Sequence, residues 1–242
     1  MWQLFVKEIN TYLNSLIAYI VIAVFLTGIG LLMWVFPETS ILQYGFADMY
    51  TLFSLSPYVF MFLIPAITMR SFAEEKKSGT MELLLTQPIS DLQLILGKLF
   101  ASWLIIIFAL VPTLVYYFTV YQLGSPVGNV DSAGVAGSYV GLILLAGVFT
   151  SIGIFASAIT ENQVIAFILA VFFCFLLFSG LSSLASLDIW GNTNYMISQI
   201  GILYHYEAMS RGLIDSRNLI YFFSVMVLMI LLTQLLLGSR KW

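Results

Sequence analysis

The chain has 242 residues, 61% hydrophobic and 9% charged, with mean hydropathy +1.00 and formal net charge −3. Soluble domains carry about 25% charged residues, so this composition excludes a water-coated globule, and the mildly acidic balance argues against nucleic acid as a partner. The single cysteine, Cys174, excludes an intramolecular disulfide or a thiolate metal cluster and reads as a small apolar residue.

At the start of the chain, Trp2, Phe5, Val6, Ile9, Leu13 and Leu16 recur every three or four residues, with Gln3, Lys7, Glu8, Asn10 and Asn14 opposite. This pattern predicts an amphipathic helix over 1–15, lying in the membrane interface with its apolar side down. Six uncharged stretches follow: Leu16–Phe36, Met49–Met69, Leu99–Tyr121, Gly137–Thr160, Asn162–Leu187 and Asn218–Gly238. Crossing a hydrocarbon core of about 30 Å takes about 20 apolar residues at about 1.5 Å rise each. Lipid offers backbone groups no partners, so each stretch predicts a transmembrane α-helix. The first has no small-residue cleavage site after it and is expected to remain as an anchor. The expected fold is therefore all-α and integral to the membrane, a single domain over 1–242 with six spans.

Pro57 and Pro65 in the second span and Pro112 in the third remove backbone donors and mark either hinges or static bends. In the fourth span, Gly137, Gly141, Gly147 and Ser151 fall on one helix face and Gly153 and Ser157 on the opposite one. Small residues let backbones approach closely, so this helix is expected to be wedged between neighbours, with subunit pairing as the alternative use.

Basic residues mark the cytoplasmic side. An arrangement with the N-terminus inside places Lys7, Arg70, Lys76, Lys77, Lys98, Arg240 and Lys241 inside, and only Arg211 and Arg217 outside. Both termini are expected in the cytoplasm.

The densest charge lies in 70–97, between spans two and three. The second span is expected to continue as a helix through Ala73-Glu74-Glu75-Lys76 until Gly79, which takes a left-handed cap without steric cost. A short helix from Thr80 to Thr86 is expected next, stopped by Pro88. Ser90 with Gln93 forms a capping box, supported by an Ile89–Leu94 staple, and starts the third membrane helix. The result is a helix–break–helix element joined directly to two spans; the bland alternative is a solvated surface loop.

The outer segment 188–217 carries the lone histidine, His205, which has no cluster at metal-ligand spacing around it. Tyr204, Tyr206 and Tyr221 fit an outer aromatic belt. Glu207, Arg211 and Asp215 follow one another at i,i+4 spacing and are expected to form a charge-alternating row on one helix face. None of the six uncharged stretches holds Asp, Glu, Lys, Arg or His, which disfavours a proton- or ion-coupled carrier. There is no Ser/His/Asp set or paired buried carboxylates for a hydrolase, and no GxxxxGK[ST] phosphate loop, so ATP chemistry would belong to another polypeptide.

The run Glu74-Glu75-Lys76-Lys77-Ser78-Gly79-Thr80-Met81-Glu82-Leu83-Leu84-Leu85-Thr86-Gln87-Pro88-Ile89-Ser90 resembles the coupling segment of the ABC-2 type permeases. Thr160-Glu161-Asn162-Gln163-Val164-Ile165-Ala166-Phe167 and His205-Tyr206-Glu207-Ala208-Met209-Ser210-Arg211-Gly212-Leu213-Ile214-Asp215 resemble the same family. Within it, length and motifs are most similar to permeases associated with gliding motility. The resemblance implies a permease subunit of an exporter in the cell inner membrane, pairing with a second copy or a sibling permease. It implies docking of a cognate ABC ATPase subunit through Glu74, Glu75, Lys76, Lys77, Gly79, Thr80, Glu82, Leu83 and Leu84. No cofactor is expected on this chain, ATP and Mg being carried by the ATPase, and membrane lipid is a further expected partner. The outer segment is expected to form short helices dipping into the membrane, shielding Met209 and Leu213. The rival from another class is a non-transporting anchor or scaffold of a motility or secretion complex.

Overall fold

The computed structural model describes residues 2–85, 89–186 and 194–238, with side chains for all of these except 44 and 83–85. Every regular element among the described residues is helical. The amphipathic helix is α1 (Trp2–Leu13), followed by α2 (Leu16–Trp34), a short α3 (Ile41–Tyr44), α4 (Tyr50–Thr68), α5 (Arg70–Lys77) and α6 (Thr80–Leu85). The third span is α7 (Asp91–Leu110) and α8 (Leu114–Leu123), joined by a 3₁₀ turn at Val111–Thr113. Next come α9 (Ser132–Ile159) and α10 (Gln163–Phe175), then a π turn at Leu176–Gly180 leading into α11 (Leu181–Ala185). Two short helices, α12 (Asn194–Ile200) and α13 (Ile202–Ser210), precede the last span, α14 (Ser216–Gly238).

Six helical stretches are long and apolar enough to cross a membrane: Leu16–Trp34, Tyr50–Lys77, Asp91–Leu123, Ser132–Ile159, Gln163–Ala185 and Ser216–Gly238. All six coincide with the uncharged runs, but their ends are set by caps rather than by where charge stops. The Ser90–Gln93 capping box forms as the sequence requires and starts α7 at Asp91, eight positions before the uncharged run at Leu99. Asp131 accepts from the Gly134 N–H at 2.9 Å and starts α9 at Ser132. The 3₁₀ turn falls on Pro112, whose missing N–H breaks the α ladder there. The two prolines of α4 are carried inside one helix.

Helix α9 is the centre of the bundle. It packs against α4, α5, α7, α10, α13 and α14, and 83% of its most apolar window is buried, against 22–28% for the outlying first, fifth and sixth spans. Its small residues are the reason these approaches are possible. A Cβ on Gly141 would lie 2.9 Å from the Met209 Cβ, and one on Gly147 would meet Met226 and Trp103 at 2.9–3.0 Å. On the opposite face a Cβ on Gly153 would lie 2.0 Å from the Thr68 hydroxyl oxygen. The wedged helix expected from the two small-residue faces is what forms.

One proline is compensated across the fold. Pro57 cannot donate to the carbonyl of Phe53, four residues earlier, and the Tyr206 hydroxyl donates to that carbonyl instead at 2.6 Å. Tyr206 is consequently 3% exposed. It does not belong to an aromatic belt as its position suggested, because its hydroxyl is needed inside.

Candidate functional site

The charged segment after α4 folds into the expected helix–break–helix. Helix α5 runs to Lys77, the chain turns at Ser78–Gly79 with Gly79 at φ +70°, and α6 begins at Thr80. The positive φ explains the glycine: an L side chain there is strained. The Thr80 hydroxyl donates to the Glu75 carbonyl at 3.3 Å and lies 2.8 Å from the Ser78 hydroxyl, closing the turn. The expected stop of the short helix at Thr86–Pro88 lies outside the described residues, as do the side chains of Leu83 and Leu84.

The expected docking residues part into two groups. Glu74, Lys77, Thr80 and Glu82 are exposed and form the outward surface of the element. Glu75 and Lys76 turn inward. The Lys76 ammonium donates to the Ala158 carbonyl, one residue from the end of α9, where unpaired carbonyls and the helix dipole favour a cation. Beside it the Ser157 hydroxyl accepts from the Phe72 and Ala73 N–H groups, each at 3.0 Å, and donates to the Met69 carbonyl at 2.9 Å. These three backbone groups lie at the α4–α5 junction, so one serine of α9 fixes the angle at which the charged helix leaves the second span.

Glu75 meets a residue that the loop-charge reading missed. Lys98, on the second turn of α7, is 1% exposed. Its ammonium lies 2.7 Å from Glu75 Oε1 and 3.2 Å from Glu8 Oε1 of α1, with the Phe72 ring 5.3 Å away. Lys7 completes the cluster at 3.3 Å from Glu8 and 3.9 Å from Glu75. Removing one partner from a buried ion pair costs about 3–5 kcal/mol. Lys98 is therefore a structural centre, and counting it only as a loop charge marking one side of the membrane overlooked that role. Its signal was its place on the predicted helix begun by Ser90, two turns in.

Helix α1 is correspondingly less simple than its amphipathic pattern. Leu4 packs so closely on α7 that a Cβ on Gly97 would lie 2.8 Å from its Cδ2, and the Tyr12 hydroxyl lies 2.9 Å from that of Ser102 and 3.3 Å from that of Ser71. Leu4, Glu8 and Tyr12 form the stripe toward the bundle, while Trp2, Val6 and Leu13 stay exposed. The polar face expected to meet water thus gives Glu8 to the interior.

At the other end of α9 the outer segment supplies short helices, as expected. Residues 187–193 lie outside the described ones. The Ser138 hydroxyl lies 2.8 Å from the carbonyls of Gly134 and Ser210, and a Cβ on Gly137 would touch the Gly212 Cα at 2.9 Å. The expected charge row does not form on one helix face. Helix α13 ends at Ser210, Gly212 turns the chain at φ +80°, and Asp215 instead accepts from the Arg217 N–H at 2.9 Å at the start of α14. Met209 is fully buried by the protein itself, whereas Leu213, at 66% exposed, is not covered by protein. His205 ties the segment together: its ring stacks on Tyr221 at 3.8 Å, with Asn218 Oδ1 at 2.8 Å and the Gln199 carbonyl at 2.9 Å.

Six helices long and apolar enough to cross a membrane, two of them joined through the charged helix–break–helix element, define a multi-pass membrane protein. The family model for ABC-2 family transporter proteins matches residues 42–240, and the chain belongs to that family. It is a membrane transport component of the ABC transporter class. No curated protein matches it.

Proposed function

We propose that this chain is the permease subunit of an ATP-driven exporter and that a separate ATPase docks on the outward surface of α5–α6. The observation that carries this reading is the attachment of that element: Ser157 and Lys76 fasten α5 to the central helix α9. A load applied to Glu74 or Lys77 therefore reaches the core through α5 itself, and one applied to Glu82 through the turn that Thr80 closes onto the Glu75 carbonyl. ATP and Mg are assigned to the partner, since the chain lacks a phosphate loop. The α5 end faces the cytoplasm, both termini lie inside, and the membrane is the cell inner membrane; the distribution of Lys and Arg supports this orientation. A second copy or a sibling permease completes the pathway, and the uncharged spans favour a lipid-linked or amphipathic substrate over a bulky polar one. The resemblance of its length and motifs to permeases associated with gliding motility is what supports a role in that process.

Glu82→Lys reverses an exposed charge in the first turn of α6 and is expected to reduce recovery of an ATPase that co-purifies with the tagged chain from native membranes, with membrane insertion unchanged. Undiminished recovery would remove the docking assignment. A hydrolysis-dead version of that ATPase separates the permease from a passive anchor: the permease loses its function, whereas an anchor keeps it.

A further inference from the structure

Lys98 is offered two counter-ions by two different helices. Glu75 comes from α5 at 2.7 Å and Glu8 from α1 at 3.2 Å, around an ammonium that is almost wholly removed from solvent. These two carboxylates are not equally free to leave. Helix α1 is bound to α7 by the Leu4–Gly97 approach and by Tyr12 and Ser102 at 2.9 Å, so Glu8 stays wherever Lys98 goes. Helix α5 is fastened on its far side to α9, through Ser157 and Lys76. Toward α1 its ties are looser: Ser71 lies 3.3 Å from Tyr12, and Glu75 lies 3.9 Å from Lys7. A cleft of about 290 Å³ opens along this same seam, with Lys7, Tyr12, Arg70 and Glu74 on its walls. The second carboxylate oxygen of Glu75 is buried there without a hydrogen-bond partner.

We propose that Lys98, Glu8 and Glu75 form an exchangeable clamp, in which Glu8 is the reserve counter-ion that lets α5 separate from α7. A buried lysine with one carboxylate locks its two helices together, because parting them strands a charge in a poorly solvated place. With Glu8 beside it, Lys98 releases Glu75 and remains paired. Glu75 gains water for the oxygen that now has no partner. The docking element can therefore move against the third span at little electrostatic cost, and Glu8 and Lys98 are positioning residues for that movement. The inference deepens the docking reading, but its test is read on the isolated chain, so its failure leaves the ATPase assignment standing.

The test uses the full chain in lipid nanodiscs. Glu8→Gln and Glu75→Gln are each expected to lower the midpoint of thermal unfolding only slightly, since Lys98 keeps one partner in either. The double variant is expected to fall by clearly more than the sum of the two, and adding Lys98→Met is expected to recover most of that loss. A double variant that cannot be obtained folded, while both single variants and the triple variant are folded, is the same result. The second readout separates the exchange from a static three-way bridge, which would loosen α5 in either single variant. A spin label at Lys77→Cys, on the exposed end of α5 and distinct from the buried Cys174, is expected to become more mobile in Glu75→Gln and no more mobile, or less, in Glu8→Gln. Additive losses in the double variant would overturn the exchange, as would equal loosening of the label by both single substitutions.

Discussion

Pro57 shows how a single residue shapes distant structure. In a soluble helix, water can bond the carbonyl that a proline leaves free; inside a membrane bundle a side chain must supply the bond. The Tyr206 hydroxyl does so for Phe53, across 153 positions of sequence. Tyr206→Phe strands that carbonyl and should lower stability by about 1 kcal/mol, the scale of one hydrogen bond. Pro57→Ala restores the helix's own donor, so the double variant Pro57→Ala/Tyr206→Phe is expected to regain the lost midpoint in thermal unfolding. A double variant as weak as Tyr206→Phe alone would show that the bond is incidental. The proline could be read from the sequence as a break in the ladder, but its partner could not, because nothing local to Tyr206 distinguishes a buried hydroxyl from one at the membrane surface.

At the scale of elements, local chemistry was the legible part. Gly79, the Ser90–Gln93 box and the paired small-residue faces of α9 are set by neighbours within a few positions, and all three form as the sequence requires. What escaped was pairing between elements. Glu8, Glu75 and Lys98 lie in three separate stretches, each of which alone looks like surface charge, and only packing brings them together. The row of Glu207, Arg211 and Asp215 failed for a local reason that was in view: Gly212 sits between its last two members and turns the chain. The small-residue faces carry their own expectation. Gly153→Ala places a methyl 2.0 Å from the Thr68 hydroxyl oxygen and should destabilise by about 1–3 kcal/mol, the range for overpacking, with partial recovery on adding Thr68→Ala. Gly28→Ala meets nothing within 4 Å and should be neutral or slightly stabilising in the same unfolding assay.

For the molecule as a whole, the two ends of the bundle are chemically distinct, which makes its orientation measurable. Met209 is fully buried and Leu213 is 66% exposed, four positions apart. With the N-terminus inside, Leu213→Cys should react with a charged, membrane-impermeant thiol reagent added to intact cells, while Met209→Cys should react only after the protein is unfolded. Reaction of Leu213→Cys only in inverted vesicles would reverse the proposed sidedness.

The grip of α9 on both ends has a mechanical result. At about 1.5 Å per residue, its 28 residues make a rod about 42 Å long, with Ser157 holding one extremity and Ser138 the other. Were such a rod to tilt as a rigid body about its middle by a few degrees, the α5 side and the α13 side would move in opposite directions by ångströms at once. Opening on one face and closing on the other would then be a single stroke rather than two events needing a messenger between them.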